Sequence, residues 1–207
     1  MKRKIMRVLA NILSVILHPL WFPVILIVYF IWSNPYYFFP LDTPEGVRFV
    51  MNLVRNVVLF PALALYIMHR LKLVKDLFLD SRRERLFPFL ILMIFFFSAY
   101  FYYKNQPYPE LISDVLLGAS LSLLAAYIIN VLYFKISLHA IGAGSLVAGV
   151  MYSMLFSYYS VAPFLMFAIF IAGLSGTARM LLAAHSLREV AAGYALGYVL
   201  QLWAFML

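Results

Sequence analysis

Cysteine is absent from this 207-residue chain, and charged residues make up only 12% of it. The absence of cysteine excludes disulfide bonds, thiolate metal sites and cysteine nucleophiles. A soluble domain has about 25% charged and about 45–50% apolar residues, whereas 66% of this chain is hydrophobic. So little polar surface cannot cover a water-soluble core. The composition therefore excludes a soluble globular protein, a disordered chain and a fibrous repeat, and it predicts an integral membrane protein.

Seven apolar segments are long enough, or nearly long enough, to cross a bilayer, which takes about 20 mostly apolar residues per helix. Short connectors rich in turn-forming residues separate them, and the segments are too long for the strands of a membrane β-barrel. We therefore expect an all-α polytopic bundle of six or seven spans, forming a single integral membrane domain over residues 1–207. The segments cover residues 8–33, 47–70, 87–103, 111–134, 138–158, 161–177 and 187–207.

The first apolar segment follows a basic N-terminus, as in a signal peptide. It continues past Pro19 without a small-residue cleavage site, so we expect an uncleaved first span. If the spans alternate in direction, all Lys and Arg residues except Arg48, Arg55 and Lys104 lie on the side of the N-terminus. The positive-inside rule predicts that this side is the cytoplasmic face of the cell membrane. Because these cations lie on membrane loops, a nucleic-acid partner is disfavoured.

Three polar clusters interrupt the apolar pattern, at residues 75–88, 135–144 and 178–193. Two spans separate each cluster from the next, so all three are expected at the headgroup level of one face. Each cluster also has a purely structural interpretation. The first would be a basic loop beside the headgroups, the second a helix cap with an interfacial histidine, and the third a His–Glu pair that stabilises its helix.

The residue types in these clusters suit phosphoryl transfer. His185 and Glu189 are four residues apart, so on a helix the carboxylate can hold one ring nitrogen and make the other a better nucleophile or base. A second histidine, His139, and several cations would join them if the clusters meet. Such a set can attack phosphorus and stabilise charged oxygens without a metal or other cofactor. A metal site built from His139, His185 and Glu189 is the alternative, although no HExxH-type spacing supports it.

At these positions the chain resembles the type-2 phosphatidic-acid phosphatase superfamily, the membrane lipid phosphatases related to vanadium haloperoxidases. Members of this superfamily carry three motifs in a fixed order. The first is Lys, any six residues and then Arg-Pro, and the second is Pro-Ser-Gly-His. The third is Ser-Arg, any five residues, His, any three residues and then Asp. Arg83 stands at the proline position of the first motif, so Arg85 is an alternative to Arg82 as a phosphate ligand. The matching residues, in motif order, are Lys75 and Arg82, Ser137 and His139, and Arg179, His185 and Glu189.

The resemblance implies a mechanism and a substrate class. His185 would form a phosphohistidine while Glu189 orients its ring, and His139 would protonate the leaving group and then activate water. The substrate would be a lipid phosphomonoester or a lipid pyrophosphate in the bilayer. A lipid-phosphate-binding or transport protein without catalysis is the alternative. The phosphate would be held by Lys75, Arg82 or Arg85, Ser137 and Arg179.

Overall fold

The computed structural model describes residues 2–34, 38, 43–73, 85–157 and 159–207. These residues form helices and no strands, which confirms the expected all-α fold. A π-helical turn, Arg55–Leu59, joins α3 to α4, and a 3-10 turn, Ser153–Leu155, extends α7. The α-helices are α1 (Lys2–Ile16), α2 (Trp21–Ser33), α3 (Pro44–Val54), α4 (Phe60–Arg70), α5 (Leu86–Lys104), α6 (Glu110–Leu132), α7 (Leu138–Tyr152), α8 (Ala162–Leu181) and α9 (Leu187–Ala204).

The described residues contain five helices that are long and apolar enough to cross a membrane, or six if α1 and α2 count as one bent span. The protein is therefore a multi-pass membrane bundle, with fewer candidate spans than the upper expectation of seven. The segment 187–207 does form a helix, α9, but α9 is not among the candidates. Arg188, Glu189 and Gln201 lower its hydropathy, and its polar end contributes to the site described below. The candidate spans are Pro44–Arg70, Leu86–Lys104, Glu110–Leu132, Leu138–Leu155 and Ala162–Leu181.

The first apolar segment, residues 8–33, forms two helices joined by a bend. It is broken between α1 and α2, whose axes differ in direction by 58°. Pro19 lies in the break, where its missing N–H and its ring prevent an uninterrupted helix. Helix α1 packs against α8, while α2 packs into the bundle against α7. The bend therefore brings the end of α1 to the polar face of the bundle.

Helices α7 and α9 run side by side in the same direction and pack through glycines. A Cβ added at Gly193 would lie 2.9 Å from the Ser137 carbonyl oxygen, and one added at Gly197 would lie 2.0 Å from the carbonyl oxygen of Ile141. Small residues allow membrane helices to approach this closely. The contact places the first turns of α7 and α9 next to each other, and these turns carry the second and third polar clusters.

Candidate functional site

One cavity of about 470 Å³ brings together residues from all three polar clusters. Arg85 precedes α5, His139 lies in the first turn of α7, Arg179 lies in the last turn of α8, and His185 lies in the connection to α9. All four line the cavity, as the span count predicts. Lys75 and Arg82, the other two cations expected in the site, lie outside the described residues.

His185 is held by the residue four positions along the chain. Its Nδ1 lies 3.0 Å from Oε2 of Glu189, and the imidazole is almost fully buried. Its ring also hydrogen bonds to the backbone of Lys135. The tautomer that donates Nδ1–H to the carboxylate carries its lone pair on Nε2, and this is the tautomer that attack on an electrophile requires.

The carboxylate of Glu189 is itself fixed by the start of α9. Its Oε2 accepts the backbone N–H of Ser186 at 3.0 Å, while the Ser186 hydroxyl accepts the Glu189 N–H at 3.4 Å. This reciprocal pair is a capping box, which satisfies two backbone donors at the helix terminus. Glu189 therefore acts on the cavity through His185 and does not line it.

Burial lowers the pKa of His185 from its ordinary value of 6.5 to about 3, and the positive charges of Arg85, Arg179 and Lys135 lower it in the same direction. The imidazole is therefore neutral at neutral pH. A neutral ring keeps the lone pair that a nucleophile or general base requires. The cations that would attract an anionic substrate thus also keep His185 unprotonated.

Arg85 joins the start of α5 to the segment that precedes α7. Its Nη1 donates a hydrogen bond to the Ile136 carbonyl oxygen at 3.2 Å, and the residue is 5% exposed. A guanidinium group presents several donors in a planar fork. Of the two arginines proposed as alternative phosphate ligands, the structure describes Arg85 and places it at the cavity wall.

Helix α1 supplies a side of the site that the sequence analysis did not identify. The backbone carbonyl of Ser14 lies 3.0 Å from Nε2 of His139, and the Ser14 hydroxyl lies 3.5 Å from Nη1 of Arg179. The His18 and His139 rings meet edge to face, with centroids 5.8 Å apart. The signal was present in the sequence, because Asn11, Ser14 and His18 recur at intervals of three and four residues in an otherwise apolar segment.

Ser137 has a different place from the one expected of a phosphate ligand. It is fully buried, and its hydroxyl caps α7 by accepting the Ala140 N–H at 3.4 Å. It is not among the residues that line the cavity. Its structural effect is to start α7 so that His139, two residues later, faces the site.

The described residues contain no group of three His, Asp or Glu side chains that could hold a metal ion, so His139, His185 and Glu189 do not form one. What the cavity does combine is an oriented neutral imidazole, a second imidazole and two buried guanidinium groups. Such groups can bind a tetrahedral oxyanion and attack its central atom. Comparisons of the chain with protein-family models, with curated proteins and with solved structures give no match.

Proposed function

We propose that this protein is a membrane-embedded phosphatase that hydrolyses a lipid phosphomonoester or a lipid pyrophosphate through a phosphohistidine intermediate. The observation that carries the proposal is the single cavity lined by Arg85, His139, Arg179 and His185, with Glu189 holding His185. The motif spacing shared with the type-2 phosphatidic-acid phosphatase superfamily also supports it.

The guanidinium groups of Arg85 and Arg179 bind the non-bridging oxygens of the phosphate. Arginine suits this task because its parallel N–H donors match two oxygens at once, and charge-assisted hydrogen bonds of this kind are short and strong. The same groups stabilise the charge that these oxygens carry as the bond to the leaving group breaks. Both side chains are buried, so water screens this attraction little.

In the first step, Nε2 of His185 attacks phosphorus, and a P–N bond forms as the P–O bond to the lipid breaks. Glu189 accepts the Nδ1–H and stabilises the positive ring. His139 exchanges protons through Nδ1, because its Nε2 is engaged by the Ser14 carbonyl. For this step the His139 ring carries a proton on both nitrogens; it gives the Nδ1 proton to the departing alkoxide and regains one from the water that attacks phosphorus. The P–N bond breaks in that second step, and inorganic phosphate leaves.

The apolar wall of the cavity supports a lipid substrate. Beyond the four polar residues the lining is mostly aliphatic and aromatic, with contributions from α2, α5, α6 and α7. The site also lies where helices of a membrane bundle begin and end. A phosphate on a lipid headgroup reaches this level of the membrane while its hydrocarbon part stays among apolar groups.

The test is phosphate release from lipid phosphates by the purified protein in nanodiscs. We expect the wild-type protein to release inorganic phosphate and to become labelled, through an acid-labile bond, by a lipid that carries a ³²P-phosphate. The substitution His185→Asn should abolish both the phosphate release and the labelling of the protein. His69→Asn is the matched control, because His69 does not line the cavity. Unchanged turnover in His185→Asn would overturn the proposal. Binding without release in wild-type protein would favour the non-catalytic lipid-phosphate-binding protein instead.

We further propose that the site faces the cytoplasm, on the positive side of the molecule. The absence of cysteine makes this testable in cells with single exposed cysteines. Arg188→Cys lies beside the site at the start of α9, whereas Lys104→Cys lies at the other end of α5. An impermeant maleimide added to intact cells should label Lys104→Cys and not Arg188→Cys. The reverse pattern would place the site on the outer face.

A further inference from the structure

The cavity continues from the four polar residues into the interior of the bundle. We call its inner part, lined by Leu26, Phe96, Ala119, Ser122 and Leu146, the deep cavity. These residues come from α2, α5, α6 and α7, so the deep cavity lies among the central helices. Four of the five side chains that define it are apolar. Dry apolar cavities bind apolar ligands and hold water poorly.

The deep cavity extends to about the middle of the candidate spans α5 and α6. Ala119 lies about 20 Å along the axis of α6 from Leu132, and Phe96 lies about 15 Å along α5 from Leu86, at about 1.5 Å per residue. Each leaflet contributes about 15 Å of the hydrocarbon thickness of about 30 Å. The cavity is therefore as deep as one lipid chain of a leaflet is long.

The volume of the cavity suits one chain. At about 470 Å³ it lies within the range of about 300–1,000 Å³ that is usual for small-molecule sites. Polar side chains interrupt the apolar wall of the cavity. Nε2 of Gln201 donates to the Asp114 carbonyl oxygen at 3.2 Å, and the buried Ser122 hydroxyl has no hydrogen-bond partner within the part of the chain that the structure describes.

We propose that one hydrocarbon chain of the bound lipid lies inside the deep cavity while its phosphate lies against Arg85, Arg179 and His185. The inference rests on the proposed function for the identity of the headgroup and adds where the chain lies. Continuity between the cationic end and the apolar interior of a single cavity carries it. The enzyme then selects substrates by the length of this chain.

Filling the deep cavity tests the proposal. Ala119→Phe places a ring in the cavity, and Ile128→Phe adds the same ring to a position of α6 that is 46% exposed. We expect Ala119→Phe to raise the KM for hexadecyl phosphate by about tenfold or more, since even one methylene in an apolar pocket changes specificity by about 10–200-fold. The KM of Ala119→Phe for butyl phosphate should stay near the wild-type value. The KM values of Ile128→Phe for hexadecyl phosphate and for butyl phosphate should also stay near the wild-type values. An equal rise for both substrates, or no rise, would overturn the proposal.

A second measurement uses the wild-type protein, so it does not depend on the folding of a variant. Hexadecyl phosphate with a photoreactive diazirine at its chain end should label peptides that contain Phe96 or Ala119. Labelling confined to lipid-facing positions, such as Ile128 and Phe167, would overturn the proposal. Labelling of the deep cavity without any phosphate release would retain the chain site and overturn the proposed hydrolysis.

Discussion

The two histidines of the site are held in different ways. His185 is positioned by Glu189, four residues away, through a carboxylate that the capping box of α9 already fixes. His139 is positioned by the Ser14 carbonyl, which is 125 residues away and depends on the bend between α1 and α2. One half of the site is therefore determined locally, and the other requires the bundle to be assembled. Changes in the two halves should have different consequences for activity and for stability.

The largest effect on the local half is expected from Glu189→Gln. The amide oxygen can still accept from Ser186, so the helix cap is retained, but the negative charge that orients and stabilises the His185 ring is lost. The equivalent change in a serine protease triad lowers kcat by about 10⁴, and we expect about 10³–10⁴-fold here. Phosphate release and the temperature of unfolding should be measured together.

Glu45→Gln is the matched control for that substitution. Glu45 lies in the first turn of α3, where its exposed carboxylate pairs with Arg48 at 2.8 Å. We expect no change in kcat. If the loss of activity in Glu189→Gln were fully accounted for by the fraction of the protein that unfolds, the role of Glu189 would be structural alone.

The assembled half is tested by His139→Asn. A general acid–base group typically contributes about 10²–10⁴-fold, so we expect residual turnover, in contrast to His185→Asn. Phosphohistidine formation from a substrate with a good leaving group, such as an aryl phosphate, should be less affected, because such a group needs little protonation. An equal loss with both leaving groups would contradict the proton-transfer role.

The junction between the halves is tested by Gly193→Ala. The added Cβ would lie 2.8 Å from Cβ of Ala140 and 2.9 Å from the Ser137 carbonyl oxygen, so α7 and α9 must separate. Overpacking of this kind costs about 1–3 kcal/mol of unfolding free energy. Gly173→Ala is the matched control, since its Cβ would meet no described atom within 4 Å. Equal stability of the two variants would show that the glycine contact does not set the helix spacing.

The smallest effect concerns pH. The pKa of His185 is about 3 in the folded protein, against an ordinary value of 6.5. As pH falls below 6.5, the unfolded chain binds a proton that folded His185 does not, so the free energy of unfolding decreases between pH 6.5 and about 3. ¹⁵N NMR of labelled histidine should show a neutral His185 ring at pH values where ordinary histidines are protonated. Titration near 6.5 would contradict the buried, cation-flanked environment.

The sequence predicted the local features well. Ser137 begins α7 as its N-cap, and the i,i+4 spacing of His185 and Glu189 became a hydrogen bond. Hydropathy also predicted the all-α bundle, because the apolar segments have few alternatives to spanning helices. These predictions needed only neighbours within one helical turn or the composition of one segment.

Features that depend on distant contacts were predicted less well. Pro19 signals a break but not a 58° change of direction, so the approach of Ser14 to His139 was missed. The hydroxyl of Ser137 was expected at the phosphate, whereas in the structure it accepts the Ala140 N–H at the start of its own helix. Tertiary packing decides each of these points.

The parallel packing of α7 and α9 has an electrostatic consequence. Both helices begin at the cavity, and α5 begins there too, since Arg85 contacts the Ile136 carbonyl just before α7. Each helix start carries about half a positive charge from its aligned peptide dipoles. The last turns of α1 and α8, which bring Ser14 and Arg179 to the same cavity, carry the opposite partial charge and offset the helix starts. The sign of the ligand is therefore selected by the side chains, with Arg85 and Arg179 as the cations that line the cavity.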